Sequence, residues 1–289
     1  MELTVLVDNN TIIDQYFIGE PALSFWIEAD NKKVLFDTGF SDAFIKNARI
    51  LNIDLKKADY IILSHGHLDH TGGLESYIDL FKNKRKNINS STPLRINSKR
   101  SRTIKLVAHP LIFNRKFYEG FGDIGMKVKK EEIVGYFDLK LSRKPLWLTK
   151  NLCFLGQIPM TNNFEVKTPL GTVMKNGKEF ADYLMDDSAL VYKSTKGMVV
   201  IPGCSHSGIC NIIEYAKKVC GRQKILDIVG GFHLLSAERK VLDRTIECLK
   251  SCKIMNFHPC HCTDLQAKIE LGKHFSIREV GSGLVLKYN

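Results

Sequence analysis

An apolar run that breaks into a dense set of metal-ligating side chains constrains this chain more than any other feature. Ile61-Ile62-Leu63 is followed at once by Ser64-His65-Gly66-His67-Leu68-Asp69-His70-Thr71-Gly72-Gly73, so three histidines and an aspartate fall within six positions. The run reads as a buried strand and the break as the loop at its end. In an extended turn, positions 65 and 67 put two imidazoles on one side, while Asp69 and His70 face a neighbouring point. One short loop can thus serve two adjacent divalent metal ions. Imidazole nitrogen with carboxylate oxygen suits zinc first, then iron or manganese. Neither packing nor capping accounts for His-x-His-x-Asp-His directly after a strand, which sets a chance histidine-rich loop aside.

The 289 residues, 44% of them hydrophobic, can build a sizeable core. Met1 to Asp8 reads as a strand rather than a signal peptide, and no apolar run reaches the length of a membrane span. The eight cysteines, at 153, 204, 210, 220, 248, 252, 260 and 262, all lie in the second half. Without a secretory context they are expected as free thiols in a reducing cytoplasm. The formal charge of +11 is concentrated in one tract, Lys82 to Lys105, which holds nine Lys or Arg and no Asp or Glu. A nucleic-acid contact is one reading of that tract. With no aromatic to stack on a base, a solvated loop is favoured.

Leu23 to Ala29 and Val34 to Phe36 look like a hairpin turned at Asp30-Asn31-Lys32, and Asp37 sits where the second strand ends. Ser41 can cap a helix through Leu51, and a helix is expected from Leu74 to Phe81. Ile104 to Ala108 reads as a strand ending at His109-Pro110, with His109 expected to pack rather than to ligate. Positions 111 to 165 give weak signals and are expected as an irregular elaboration that forms one pocket wall. The polar loop Gly156 to Glu165 can reach over a substrate. The second half is regular. Strands at Met198 to Ile201, Lys224 to Val229 and Lys253 to Phe257 each end in a histidine-bearing turn, containing His206, His233 and His258-Pro259-Cys260-His261, before helices starting near Ile209, Ser236 and Asp264. In a layered α/β fold such turns share one sheet edge, where ligands bind. A single domain, 1–289, is expected, with an N-terminal half of about 1–110, an insertion of about 111–165 and a C-terminal half of about 166–289. This organisation suits a four-layer α/β/β/α sandwich.

The His65 to Gly73 motif resembles the signature of the metallo-β-lactamase superfamily. The segments Gly156 to Glu165, Asp186 to Leu190, Gly203 to His206, Gly230 to Leu234 and Pro259 to Thr263 are similar to one branch of it. That branch is typified by the 7,8-dihydropterin-6-methyl-4-(β-D-ribofuranosyl)aminobenzene 5′-phosphate synthases of methanopterin biosynthesis and includes hydrolase-like relatives. The resemblance implies that His65 and His67 bind one metal ion and Asp69 and His70 help bind a second. It makes His261 the last ligand and His206 the remaining one, with Cys204, aligned with a bridging aspartate, and Asp187 as further candidates. Asp37 would support the metal loop, and His233, Asn163 and Glu165 would meet substrate. A metal-dependent hydrolase acting on a phosphorylated or anionic small molecule is the leading expectation, with Asp69 also handling a proton. A pterin-type transferase that releases pyrophosphate, with magnesium as a possible cofactor, stands beside it. The same scaffold could also serve a nucleic-acid-processing hydrolase or a non-catalytic metal sensor.

Overall fold

A computed structural model describes residues 1–82, 103–165, 168–221 and 224–289. The first part of the chain forms β1 (Glu2–Val7), β2 (Ser24–Ala29), β3 (Lys32–Phe36), α1 (Ala43–Ile50), β4 (Tyr60–Ile62), α2 (Leu68–Thr71) and α3 (Leu74–Lys82). Residues 83–102, most of the basic tract, lie outside the described residues. Next come β5 (Lys105–Ala108), β6 (Lys116–Tyr118), β7 (Gly122–Asp123), α4 (Lys130–Tyr136), β8 (Asp138–Leu141), β9 (Leu146–Trp147) and β10 (Leu152–Phe154). The remainder forms β11 (Thr172–Lys175), β12 (Lys178–Ala181), β13 (Ala189–Ser194), β14 (Gly197–Pro202), α5 (Ile209–Cys220), β15 (Ile225–Gly231), α6 (Arg239–Ser251), β16 (Asn256–Cys260), α7 (Leu265–Gly272) and β17 (Val285–Lys287).

Seven strands pair in the order β17-β1-β2-β3-β4-β5-β8, six in the order β16-β15-β14-β13-β10-β9, and four form a small sheet, β12-β11-β6-β7. Strand residues alternate between faces, so each large sheet feeds two apolar layers. Phe25, Ile27, Val34, Phe36 and Ile62 of the first sheet meet Phe154, Leu190, Val199, Ile201 and Val229 of the second in a shared core. The opposite face of the first sheet, with Trp26, Leu35 and Ile61, packs on Phe44, Leu74, Tyr77 and Ile78 of α1 and α3. Met198, Val200 and Ile228 on the outer face of the second sheet pack on Ile212, Ile213, Leu242, Ile246 and Leu271 of α5, α6 and α7. The result is the expected helix–sheet–sheet–helix sandwich.

Several local expectations shift. The stretch 111–165 supplies β8 to the edge of the first sheet and β9 and β10 to the second. It is thus woven into both layers, while β6 and β7 join β11 and β12 in the small third sheet. Helix α1 starts at Ala43, because Ser41 Oγ donates to Glu20 Oε2 at 2.6 Å and accepts from the Ala43 N–H at 3.1 Å. Helix α6 starts at Arg239: Ser236 has φ 50° and gives its N–H to Asp264 Oδ2 at 2.7 Å. Strand β16 runs on through Pro259 to Cys260 because it is an edge strand, where a missing N–H is tolerated.

Candidate metal centre

The turns after β3, β4, β14, β15 and β16 open on one rim of the two sheets, since β3–β4 and β14–β15–β16 are parallel pairs. Gly73 allows the loop after β4 to fold back on the turn after β3, for a Cβ there would collide with the Thr38 carbonyl oxygen and lie 2.6 Å from that of Ser41. Asp37, Ser205, His233 and His261 all have φ between 51° and 57°, in the left-handed region that non-glycine residues enter only at a cost. The rim therefore holds its turns against local preference.

Two groups of ligand atoms meet there. His65, His67 and His206 converge, with His65 Nε2 3.1 Å from His67 Nδ1 and 3.2 Å from His206 Nε2. Beside them, His70 Nε2 and His261 Nε2 are 3.1 Å apart, and Asp69 Oδ2 lies 3.3 Å from His261 Nε2 and 3.6 Å from His70 Nε2. Cys204 joins the two groups, its sulfur lying within 4.8 Å of ligand nitrogens of both His65 and His70.

The surrounding hydrogen bonds fix which nitrogens carry protons. An ionised carboxylate only accepts. His70 Nδ1 therefore donates to Asp37 Oδ2 at 2.7 Å, so in the neutral ring the lone pair is on Nε2, facing the cluster. Ser64 Oγ donates to the same carboxylate at 2.7 Å and so accepts from His65 Nδ1 at 3.0 Å, which turns the His65 Nε2 lone pair inward as well. His261 Nδ1 donates to the Asn9 amide oxygen at 3.1 Å, with the same outcome at Nε2. Nitrogen lone pairs about 3 Å apart repel one another unless a positive centre lies among them. Nitrogens about 2.0 Å from a tetrahedral ion would stand roughly 3.3 Å apart, close to the separations seen here. The donor set thus fits metal ions.

For His65, His67 and His206 the electrostatics point the same way. Burial pushes His67 down to about 4, against the pull of Asp69. Burial and the neighbouring imidazoles hold His65 and His206 well below their ordinary range, so all three keep free lone pairs at neutral pH. His70 differs. Burial opposes its proton, but Asp69 and Asp37 outweigh that effect and raise it to about 9. Burial would lift the Asp69 carboxyl, yet His70 and His261 hold it well below the carboxylate range.

Not every expected residue belongs to the cluster. Asp187 takes no part in the groups of ligand atoms found among the described residues; its Oδ2 accepts from the Ser207 N–H at 2.7 Å and steadies the turn that carries His206. Glu165 does not face the histidines, because its carboxylate accepts from the Cys210 and Asn211 N–H groups at 2.8 and 2.9 Å at the start of α5. Asn163 is exposed on the same loop, whereas His233, exposed at the rim, has a ring nitrogen within 4.8 Å of ligand atoms of Cys204 and His206, its ring tilted by 58° to that of His206 with centroids 4.2 Å apart. His109 is buried and accepts from the Leu111 N–H at 3.2 Å. His258 pairs with Asp227 at 2.9 Å inside the sheet. A cavity of about 1350 Å3 beside Phe164, Tyr215, Lys217 and Cys252 runs along α5 and α6 and is lined by none of the cluster residues.

Several residues have supporting roles that the sequence reading did not assign. Asp8 accepts from the His261 N–H at 2.9 Å, and Asn9 orients that ring. Their only signal is a polar pair after a buried strand. Asp186 accepts from the Gly66 N–H at 2.9 Å while Lys116, itself buried, bridges Asp186 and Asp182 at 2.9 and 2.8 Å. Cys262 lies with its sulfur 3.0 Å from that of Cys204.

Two facing sheets with such a cluster on one rim define the metallo-β-lactamase superfamily, and this chain belongs to it. The family model described as the metallo-beta-lactamase superfamily matches residues 18–137. The chain is 31% identical, over 94% of its length and 91% of the relative's, to the 7,8-dihydropterin-6-methyl-4-(beta-D-ribofuranosyl)-aminobenzene-5'-phosphate synthase of Methanocaldococcus jannaschii. It is 32% identical to an uncharacterized protein of the same organism, covering 94% of each. The crystal structure of Tm1679, a metal-dependent hydrolase of the beta-lactamase superfamily, superposes with a TM-score of 0.78 at 29% identity, covering 99% of this chain and 98% of that one. The protein is a metal-dependent enzyme of this superfamily. Among the described residues no helix is long and apolar enough to cross a membrane.

Proposed function

We propose that the protein holds two divalent metal ions, zinc foremost, and uses them hydrolytically on a phosphorylated or otherwise anionic small molecule. The observation that carries this reading is the pairing of inward lone pairs: His65, His67 and His206 around one point, and Asp69, His70 and His261 around the next. Bound there, the ions would supply Lewis acidity to water and to the oxygens of an anionic substrate. Asp37, Ser64 and Asn9 hold the rings with Nε2 toward the cluster, and an ion at His70 would take the place of the proton that Asp69 and Asp37 favour there. Asp69, ionised beside His70, is placed to orient a nucleophile or accept its proton. His233, exposed beside His206, would meet the substrate.

A pterin-type transferase is the second reading, favoured by the 31% identity to the synthase. The same anion-binding rim would then hold a pyrophosphate leaving group.

Metal analysis combined with a product assay tests both. Two ions per chain are expected in the native protein and about one in His206→Ala or His261→Ala. A panel of phosphate esters and pyrophosphates would give hydrolysis in the first reading; a pterin methyl pyrophosphate with an aromatic ribose phosphate would release pyrophosphate and join the two in the second. Full activity in the His67→Ala/His70→Ala double variant would sink both.

A further inference from the structure

The eight cysteines divide into two kinds. Six pack within apolar clusters: Cys153, Cys210 and Cys220 in the helix-covered core of the second sheet with Cys248 and Cys252 at its margin, and Cys260 between the sheets. Cys204 and Cys262 belong to neither cluster. They sit on the rim, one on the turn after β14 and the other next to His261, with their sulfurs 3.0 Å apart and no disulfide between them. The ligand atoms of Cys204, Cys262 and His261 lie within 4.8 Å of one another, as do those of Cys204, His65 and His70.

The backbone makes room for this pair. A Cβ on Gly231 would lie 2.6 Å from Cys262 Sγ, so a side chain there would displace the sulfur from its place. The His233 N–H points at Cys262 Sγ from 3.2 Å, an interaction that steadies a sulfur carrying negative charge. Small buried packing residues need neither a glycine cradle nor an N–H donor.

We propose that Cys204 and Cys262 are sulfur ligands of the metal centre, Cys204 between the two histidine groups and Cys262 on the His261 side. The assignment rests on the dinuclear reading above. Each thiol gives up its proton to solvent as its metal–sulfur bond forms, and the sulfur stays at the same oxidation level throughout. Two thiolates bias the centre toward thiophilic ions, Zn2+, Co2+ or Fe2+, and against Mg2+. The selectivity would thus come from residues outside the His65 to His70 motif.

Cobalt(II) added to the metal-free protein tests this by absorption. The expected result is a near-ultraviolet thiolate-to-cobalt charge-transfer band beside the visible ligand-field bands. Cys204→Ser and Cys262→Ser should each lose part of the charge-transfer band while keeping ligand-field absorption, and the double variant should lose all of it. Ligand-field bands without charge transfer in the native protein would overturn the sulfur assignment and leave the histidine centre standing. A full-strength band in Cys262→Ser would remove Cys262. No cobalt uptake at all would overturn the dinuclear reading and this one with it. X-ray absorption at the zinc edge of the native zinc-loaded protein needs no variant: a sulfur shell near roughly 2.3 Å supports the proposal, and nitrogen and oxygen neighbours alone refute it.

Discussion

His70 and His261, 191 positions apart in the chain, bring their Nε2 atoms to 3.1 Å of each other. Each ring is turned by a partner on its far nitrogen, Asp37 for His70 and Asn9 for His261. The two rings come from different sheets, but both orienting groups come from the first, Asn9 after β1 and Asp37 after β3.

Asp37→Asn should weaken metal binding at the His70 side while leaving most of the fold intact. An amide can present its NH2 to His70 Nδ1 and so promote the wrong tautomer, with Nε2 protonated. A loss of about 10–100-fold in affinity for one ion of the pair is expected, measured by titration against a competing chelator. Unchanged affinity for both ions would remove Asp37 as an orienting group.

The metal-free protein should lose stability toward acid. A histidine whose folded pKa is depressed binds its proton more readily when unfolded, so its share of stability is full above the ordinary value of 6.5 and falls as the pH drops toward about 4, the position of His67. That residue alone accounts for on the order of 3 kcal/mol, and His65 and His206 act in the same direction. His70, raised to about 9, works oppositely: its contribution is full below 6.5 and is lost as the pH rises through 9. Calorimetry in chelator should find the highest Tm near the middle of this range. A Tm that stays flat from neutrality down to the His67 region would contradict the burial-driven shifts.

Lys116→Met should be among the most damaging single changes. It leaves the buried carboxylates of Asp182 and Asp186 facing each other without their cation, at a cost of about 3–5 kcal/mol. Adding Asp182→Asn and Asp186→Asn should restore much of the stability in urea unfolding. It should restore metal affinity less, because the Gly66 N–H loses its charged acceptor. Equal recovery of both would make the triad a purely structural element.

His258→Ala should separate histidines that build the sheet from those that build the rim. His258 and Tyr288 both bond the buried Asp227, at 2.9 and 2.8 Å. Removing the imidazole should cost about 1–3 kcal/mol in unfolding while the metal content stays at the native value. A drop in bound metal from the folded variant would place His258 in the centre after all.

The parts of this architecture that are legible in the sequence are those with local signals. The apolar run before His65, and the alternation of β14, α5, β15, α6, β16 and α7, mark elements whose ends must coincide in a layered fold. The supports are hidden for the opposite reason. Lys116 finds Asp186 across 70 positions and Asp8 finds His261 across 253, with no periodicity to link them. Asp187 reads as a better candidate than Asp186 because neighbouring residues on a turn point in different directions, and only coordinates show which way each faces. The stretch 111–165 resists reading because β8 is a short edge strand with a half-exposed, mixed pattern.

Because the donors come from both ends of the chain, the rim is also a joint. His65, His67, Asp69 and His70 ride on the first sheet, His206 and His261 on the second. An ion gripped by both acts as a cross-brace that resists sliding of one sheet over the other. Loading the centre should therefore make the two halves melt together, whereas stripping it should let them part at different temperatures.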